Sequence, residues 1–305
     1  MLSKLKTVTI LTALLFFGTT QSISDELKIV NEVKFKKIID SKNEMDRYEA
    51  SGVSFLNDKF YVVFDNNSQV ARVNAKLTKV KLIGEESKKV GFEGITYNPA
   101  NKAFYVVEES LEHKGDWNGR LSVRDRDFSL TSEKTWLDYG FESDNKGFEG
   151  LAVVHRNDTT YLLALCEGNG CKAGKKGKKS GGGTIQVFEK KKKKWKRIRS
   201  INLPKTLQFM DYSGIDISAD NTLAVSSQES SAIWIAKLDV VAWKTVDNGK
   251  VYSFPKSKKG DTLYCNVEGV SWINQHQLVV VSDAKKSSQP KRCKKKEQSI
   301  HILKF

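Results

Sequence analysis

Phe92-Glu93-Gly94-Ile95 and Phe148-Glu149-Gly150-Leu151 are two copies of one short phrase. The chain repeats it with variation at Ala50-Ser51-Gly52-Val53, Tyr212-Ser213-Gly214-Ile215 and Val267-Glu268-Gly269-Val270. Each copy opens a short apolar run that reaches a polar turn, such as Asn57-Asp58, Asn98-Pro99-Ala100-Asn101 or Arg156-Asn157-Asp158. Asn and Asp tolerate the unusual backbone angles of tight turns, so these are hairpin signals. The answering runs are Phe60–Phe64, Phe104–Val107, Tyr161–Leu165, Leu223–Val225 and Leu278–Val281. Their continuous β-branched and aromatic content suits strands buried on both faces.

A third strand follows in every unit: 69–73, 120–123, 184–188, 232–236 and 299–303. More polar fourth strands, for example 80–83 and 195–201, complete units one to four. Repeated four-stranded antiparallel units are the signature of propeller blades. Successive motif glycines lie 42, 56, 64 and 55 residues apart, the longest gap holding the Gly/Lys insertion Cys171–Gly183. The fifth unit reaches Phe305 on its third strand, and the β-like run Val33–Ile39 has no unit of its own. The expected fold is therefore all-β: a five-bladed β-propeller of four-stranded antiparallel blades over residues 25–305, the last blade closed by the N-terminal strand. A lectin-like sandwich is the rival, but it does not account for five similar units.

Residues 1–24 read as a removable leader. Lys4 and Lys6 precede the apolar run Val8–Phe17, which is too short to cross a bilayer, and small polar residues follow. Export would make the chain secreted or periplasmic. In that oxidising setting the four cysteines favour two disulfides, Cys166 with Cys171 and Cys265 with Cys293. A four-thiolate zinc site is the other reading, and it lacks a close-spaced second pair.

The net charge of +15 is concentrated in runs such as Lys175–Lys179, Lys190–Lys194 and Lys291–Lys296. One reading is solvated loops and strand edges guarded by lysine. The other is attraction to a small anionic substrate or an anionic polymer. Export argues against nucleic acid, no stretch after the leader suggests a transmembrane segment, and a monomer is expected.

Antiparallel first and second strands place the start of one and the end of the other at the same mouth of the channel. Glu93, Glu149 and Glu268 should converge there with Ser51 and Ser213. Asp65, Glu108, Glu167, Gln228 or Glu229, and Asp283 should stand just outside. Crowded carboxylates repel one another, and a hard cation relieves them; Ca²⁺, taking about six to eight oxygens, tolerates an irregular ring. A purely structural role is the alternative: a polar residue before Gly that bonds to the neighbouring unit's backbone. Of the four histidines, only His113 should reach the acidic face.

The Phe-Glu-Gly-Ile/Leu motifs with their following acidic residues resemble those of the esterase-like phytase propellers and the related SdiA-regulated proteins. The nearest match runs from Phe148-Glu149-Gly150-Leu151 through Leu165-Cys166-Glu167-Gly168-Asn169. Ser51 and Ser213 depart from the Glu-Gly form. The resemblance implies an exported propeller that hydrolyses phosphate or carboxylate esters. A metal-assisted route would use Glu93, Glu149 and Glu268 as ligands and Glu108, Glu167 or Asp283 as general base. Lactonase-like propellers and a non-catalytic binding propeller are the competing classes.

Overall fold

The structure, a computed structural model, describes residues 25–39, 47–86, 91–144 and 146–305. The expected leader lies outside the described residues. Among them, no helix is long and apolar enough to cross a membrane.

Two short strands, β1 (Asp25–Glu26) and β2 (Lys28–Lys34), come first. Unit one is the sheet β3 (Ala50–Leu56), β4 (Lys59–Phe64), β5 (Asn67–Asn74) and β6 (Val80–Ile83), paired in chain order. Unit two holds β7 (Phe92–Asn98), β8 (Ala103–His113), β9 (Asp116–Arg124) and β10 (Thr135–Phe141). Unit three holds β11 (Phe148–Arg156), β12 (Thr159–Cys166), β13 (Thr184–Lys191) and β14 (Lys194–Asn202). A parallel pairing of Leu137 with Trp195 joins these two units edge to edge. Unit four comprises β15 (Gly214–Ile217), β16 (Thr222–Ser227), β17 (Ala232–Asp239), β18 (Lys244–Thr245) and β19 (Lys250–Ser253). Unit five is β20 (Val267–Asn274), β21 (Gln277–Ser282) and β22 (Ser299–Lys304), with β2 as its fourth strand. The turn residues behave as their chemistry dictates: Asn57, Asp58, Asn157 and Asp158 all take positive φ.

The first strands pack in cyclic order, β3 on β7, β7 on β11, β11 on β15, β15 on β20 and β20 back on β3. The motif glycines make this possible. A Cβ on Gly94 would stand 2.8 Å from the Cα of Gly150, and one on Gly269 would stand 2.8 Å from the Cα of Gly52. Only a residue without a side chain permits such backbone approach. The core consists of five apolar clusters, one in each gap between consecutive units. Tyr61, Val63 and Ile83 of unit one meet Phe92, Phe104 and Phe128 of unit two, for instance, while Val279 and Ile300 of unit five meet Ala50 and Val62 of unit one.

The closing strand lies earlier than the sequence suggested. The expected run was Val33–Ile39, but pairing with β22 covers Lys28–Lys34, and the chain then turns through Phe35–Lys37. Phe35 explains the break. Its ring is fully buried, 5.5 Å from Phe64 and 6.0 Å from Tyr48, which pulls the backbone off the sheet edge. The segment also reaches unit four, because β1 pairs in parallel with β19 and Leu27 is buried in the cluster between units four and five. Both expected disulfides are present, Cys166–Cys171 and Cys265–Cys293.

Candidate functional site

Four of the five motifs contain a feature that alternation alone does not reveal. The ladders of β3 with β4, β7 with β8, β11 with β12 and β20 with β21 each slip by one residue, at Ser51, Glu93, Glu149 and Glu268. The motif's polar residue is thus the extra residue of a β-bulge. A bulge breaks the in-out alternation and re-aims one side chain.

The two serines bond to the next unit. Ser51 Oγ donates to the Phe92 carbonyl, and Ser213 Oγ donates to the Val267 carbonyl at 2.6 Å. The acceptors immediately precede Glu93 and Glu268, so the serines brace the backbone from which those glutamates project.

Glu149 lies within electrostatic reach of Glu93 and Glu268. Burial lifts the Glu149 carboxyl well above the usual range, and the charges of Glu93, Glu167 and Glu268 lift it further, with Lys146 in opposition. Glu268 is pushed up to about 8, chiefly by burial, then by Asp283, Asp211 and Glu167 against the pull of Lys286. Both glutamates remain partly open to solvent.

The outer carboxylates differ in how they are held. Glu108 is buried and clamped by Arg120, at 2.6 and 2.7 Å, and by Lys134. Glu167 pairs with Lys146. Asp283 is raised to about 6 by burial and by Glu49; the Ala284 amide, Arg47 and Lys286 lower it. Burial also raises Asp65, with Glu49 adding to it. His113 stacks on Trp136 at 4.2 Å and lines the outer seam between units two and three.

Sequence reasoning missed Asp211, Lys146 and Lys286. Asp211 is buried, accepts from Ser227 Oγ at 2.5 Å and from the Glu229 amide, and is raised to about 6, mainly by burial. It lies two residues before Ser213, so unit four places a carboxylate beside its motif where units two, three and five place one within it. The signal was a charged residue just upstream of the motif, which also marks Lys146, three residues before Glu149.

The opposite mouth is a separate funnel of about 540 Å³, with Tyr97, His155, Asp216 and Trp272 in its wall. Asp216 accepts from Ser271 Oγ, the Trp272 amide and the Ile217 amide, each at 2.8 Å, yet burial still raises it to about 6.

No family model matches the chain, and no curated protein matches it. Solved structures match over most of its length at low identity. A glutaminyl cyclase from Myxococcus xanthus is 8% identical over 91% of this chain and 95% of its own, with a TM-score of 0.52. The GH43_1 enzyme from Xanthomonas citri, complexed with xylose, is 12% identical over 85% of this chain and 87% of its own, with a TM-score of 0.50. The chain has an all-β, propeller-type fold. At these identities the likeness concerns fold alone.

Proposed function

We propose that this is an exported, five-bladed propeller whose acidic mouth binds a divalent cation, Ca²⁺ by preference, and hydrolyses a small anionic ester there. The blade count rests on the cyclic packing of β3, β7, β11, β15 and β20 and on one apolar cluster per gap. The two disulfides favour an oxidising compartment. The resemblance of the Glu-Gly motifs to esterase-like phytases supplies the reaction class.

The observation that carries the cation is electrostatic. Glu149 lies in the field of three other carboxylates, with Lys146 the opposing charge and already paired with Glu167. An all-oxygen ring of this kind suits a hard ion. Among the described residues no three His, Cys, Asp or Glu side chains yet form a group that would hold one. Binding therefore requires Glu93, Glu149 and Glu268 to rotate inward about their bulges. A bound cation would neutralise the ring and polarise an ester oxygen.

The outer carboxylates then divide the proton work. Glu108 is held in place by Arg120 and Lys134 and is not free to turn toward a substrate. Glu167 is tied to Lys146. Asp283, at about 6, is ionised at neutral pH and serves as the base that accepts a proton from water, while Glu268, at about 8, holds one in the absence of a cation.

Calorimetric titration of Ca²⁺ and Mn²⁺ into EDTA-treated protein tests the cation; no heat from either ion overturns it. Phytate and nitrophenyl esters test the chemistry on the same preparation. Heat without turnover would make the mouth a binding site and remove the hydrolase.

A further inference from the structure

The strongest unassigned feature lies far from the channel, in the groove where the outer strands β10 and β14 meet. The groove has a volume of about 1150 Å³ and runs between the β8–β9 turn and the β13–β14 turn. Its one link to the acidic mouth among the described residues is Lys134, which lines the groove and pairs with Glu108. Ligand pockets for a single small molecule span roughly 300–1,000 Å³, so an open groove larger than that suits part of a longer chain.

Its chemistry is one-sided. Eight lysines line it, against three carboxylates, Asp116, Glu133 and Asp138. Lys134 is occupied by Glu108, and Lys191 lies 3.0 Å from Glu189. The remaining six, Lys114, Lys190, Lys192, Lys193, Lys194 and Lys196, are exposed, and none forms an ion pair among the described residues. A row of like charges on one hairpin is unfavourable for the free fold and becomes favourable only opposite a polyanion.

The aromatic residues narrow the class of polyanion. Trp136 is stacked by His113 at 4.2 Å, with the Arg120 guanidinium also over its ring at 5.5 Å. Trp195 is buried, edge-on to Tyr105. Single-stranded nucleic acid binds by stacking its bases on open aromatic faces, and these faces are taken. Two disulfides favour a compartment in which polysaccharide, rather than nucleic acid, is the available polyanion.

We propose that this lysine groove binds an anionic polysaccharide, an extended chain carrying carboxylate or sulfate on its sugars, and so docks the protein on such a polymer. The lysines act as mobile point charges rather than bidentate forks, so they read charge spacing more than sugar identity.

The test is binding of labelled polygalacturonate and dextran sulfate to the full chain at two salt concentrations. Neutral dextran and duplex DNA serve as comparators. The quadruple variant K192Q/K193Q/K194Q/K196Q should bind at least tenfold more weakly than the native chain. The variant K175Q/K176Q/K178Q/K179Q, with the same loss of charge in the Gly-rich insertion, should bind within about twofold. Both sets are exposed lysines outside the core, so circular dichroism melts should be unchanged. Equal loss in both variants would reduce the effect to net charge and overturn the site. So would stronger binding of duplex DNA than of either acidic polysaccharide, or binding of neutral dextran.

Discussion

The side chain that Gly94 lacks would collide with the Cα of Gly150 at 2.8 Å. Main chain meets main chain here, so no rotamer change relieves the clash. Gly94→Ala should destabilise the fold by about 2 kcal/mol or more, the upper range for overpacking. Gly147→Ala is the contrast, because its added methyl would press at 3.2 Å only on a side-chain atom, Ser110 Oγ, and not on main chain. Urea denaturation should separate them; equal midpoints would remove the argument for a tight ring of first strands.

The same motif position performs two jobs, and substitutions should separate them. Ser213→Ala removes a buried hydrogen bond to the Val267 carbonyl. It should lower stability by about 1–2 kcal/mol and, because Ser213 only braces the backbone before Glu268, reduce the heat of Ca²⁺ binding far less than loss of Glu149. Glu149→Gln removes a carboxylate that the fold holds at a disadvantage. It should keep or raise stability at pH 8 and abolish the Ca²⁺ heat. If Glu149→Gln instead unfolds the chain, the glutamate is a structural brace like the serines.

The mouth also fixes a pH dependence. Glu149 and Glu268 bind protons more readily in the folded chain than in the unfolded one, as do Asp211, Asp216 and Asp283. Their contribution is intact below the unfolded carboxylate range, around pH 4, and is lost as pH rises through 6 and then 8. Glu32, lowered to about 2 chiefly by its bond to His301, works the other way at more acid pH. Buried His301, held below the usual imidazole range by desolvation, opposes the carboxylates as pH falls toward 5, where their five raised groups outnumber it. In EDTA the native chain should melt lower at pH 8 than at pH 5, and Ca²⁺ should restore part of the difference at pH 8. The Glu149→Gln/Glu268→Gln variant should show a smaller pH difference and no Ca²⁺ effect. A native melting temperature that rises from pH 5 to pH 8 in EDTA would contradict the crowding of these carboxylates.

Most of the strand order was legible because the repeat fixes it: each Gly-containing motif, Asn/Asp turn and apolar run appears in the structure as a hairpin. The closing strand was misplaced because Val33-Lys34-Phe35 has β propensity throughout, and burial of Phe35 against Phe64 is visible only once the ends meet. The bulges were hidden too, since an extra residue in a ladder leaves no compositional trace. Glu93, Glu149 and Glu268 could be grouped by position in the repeat. Asp211 and Lys146 could not, because they precede the motif by different offsets. The clamp on Glu108 by Arg120 and Lys134 depends on the irregular β8–β9 pairing and on the residue just before β10, neither of which the repeat specifies.

The two disulfides should contribute unequally. Cys265–Cys293 spans 28 residues of separation and Cys166–Cys171 only 5. Chain entropy assigns them about 3.6 and 2 kcal/mol. Replacing the Cys265/Cys293 pair with alanine should therefore lower the urea midpoint more than replacing the Cys166/Cys171 pair. The reverse order would show that anchoring of the short loop, where Asn169 holds the Gly177, Phe209 and Met210 carbonyls, outweighs loop length.

The N-terminal strand is the seam of the ring, and its removal should be reversible. β2 covers β22, and Glu32 on it bonds to buried His301 at 3.0 Å and pairs with Lys296. A chain beginning at Phe35 would leave β22 as an open edge with an uncovered histidine, a template for pairing with another molecule. The truncated protein should melt roughly 5 °C or more below the native chain and form oligomers in light scattering. A synthetic peptide of Asp25–Lys34 should suppress the oligomers by adding itself as the missing strand. Glu32→Gln in that peptide should weaken the rescue, because it removes the charge facing Lys296. A truncated chain that stays monomeric and equally stable would show that the ring closes without its fourth strand.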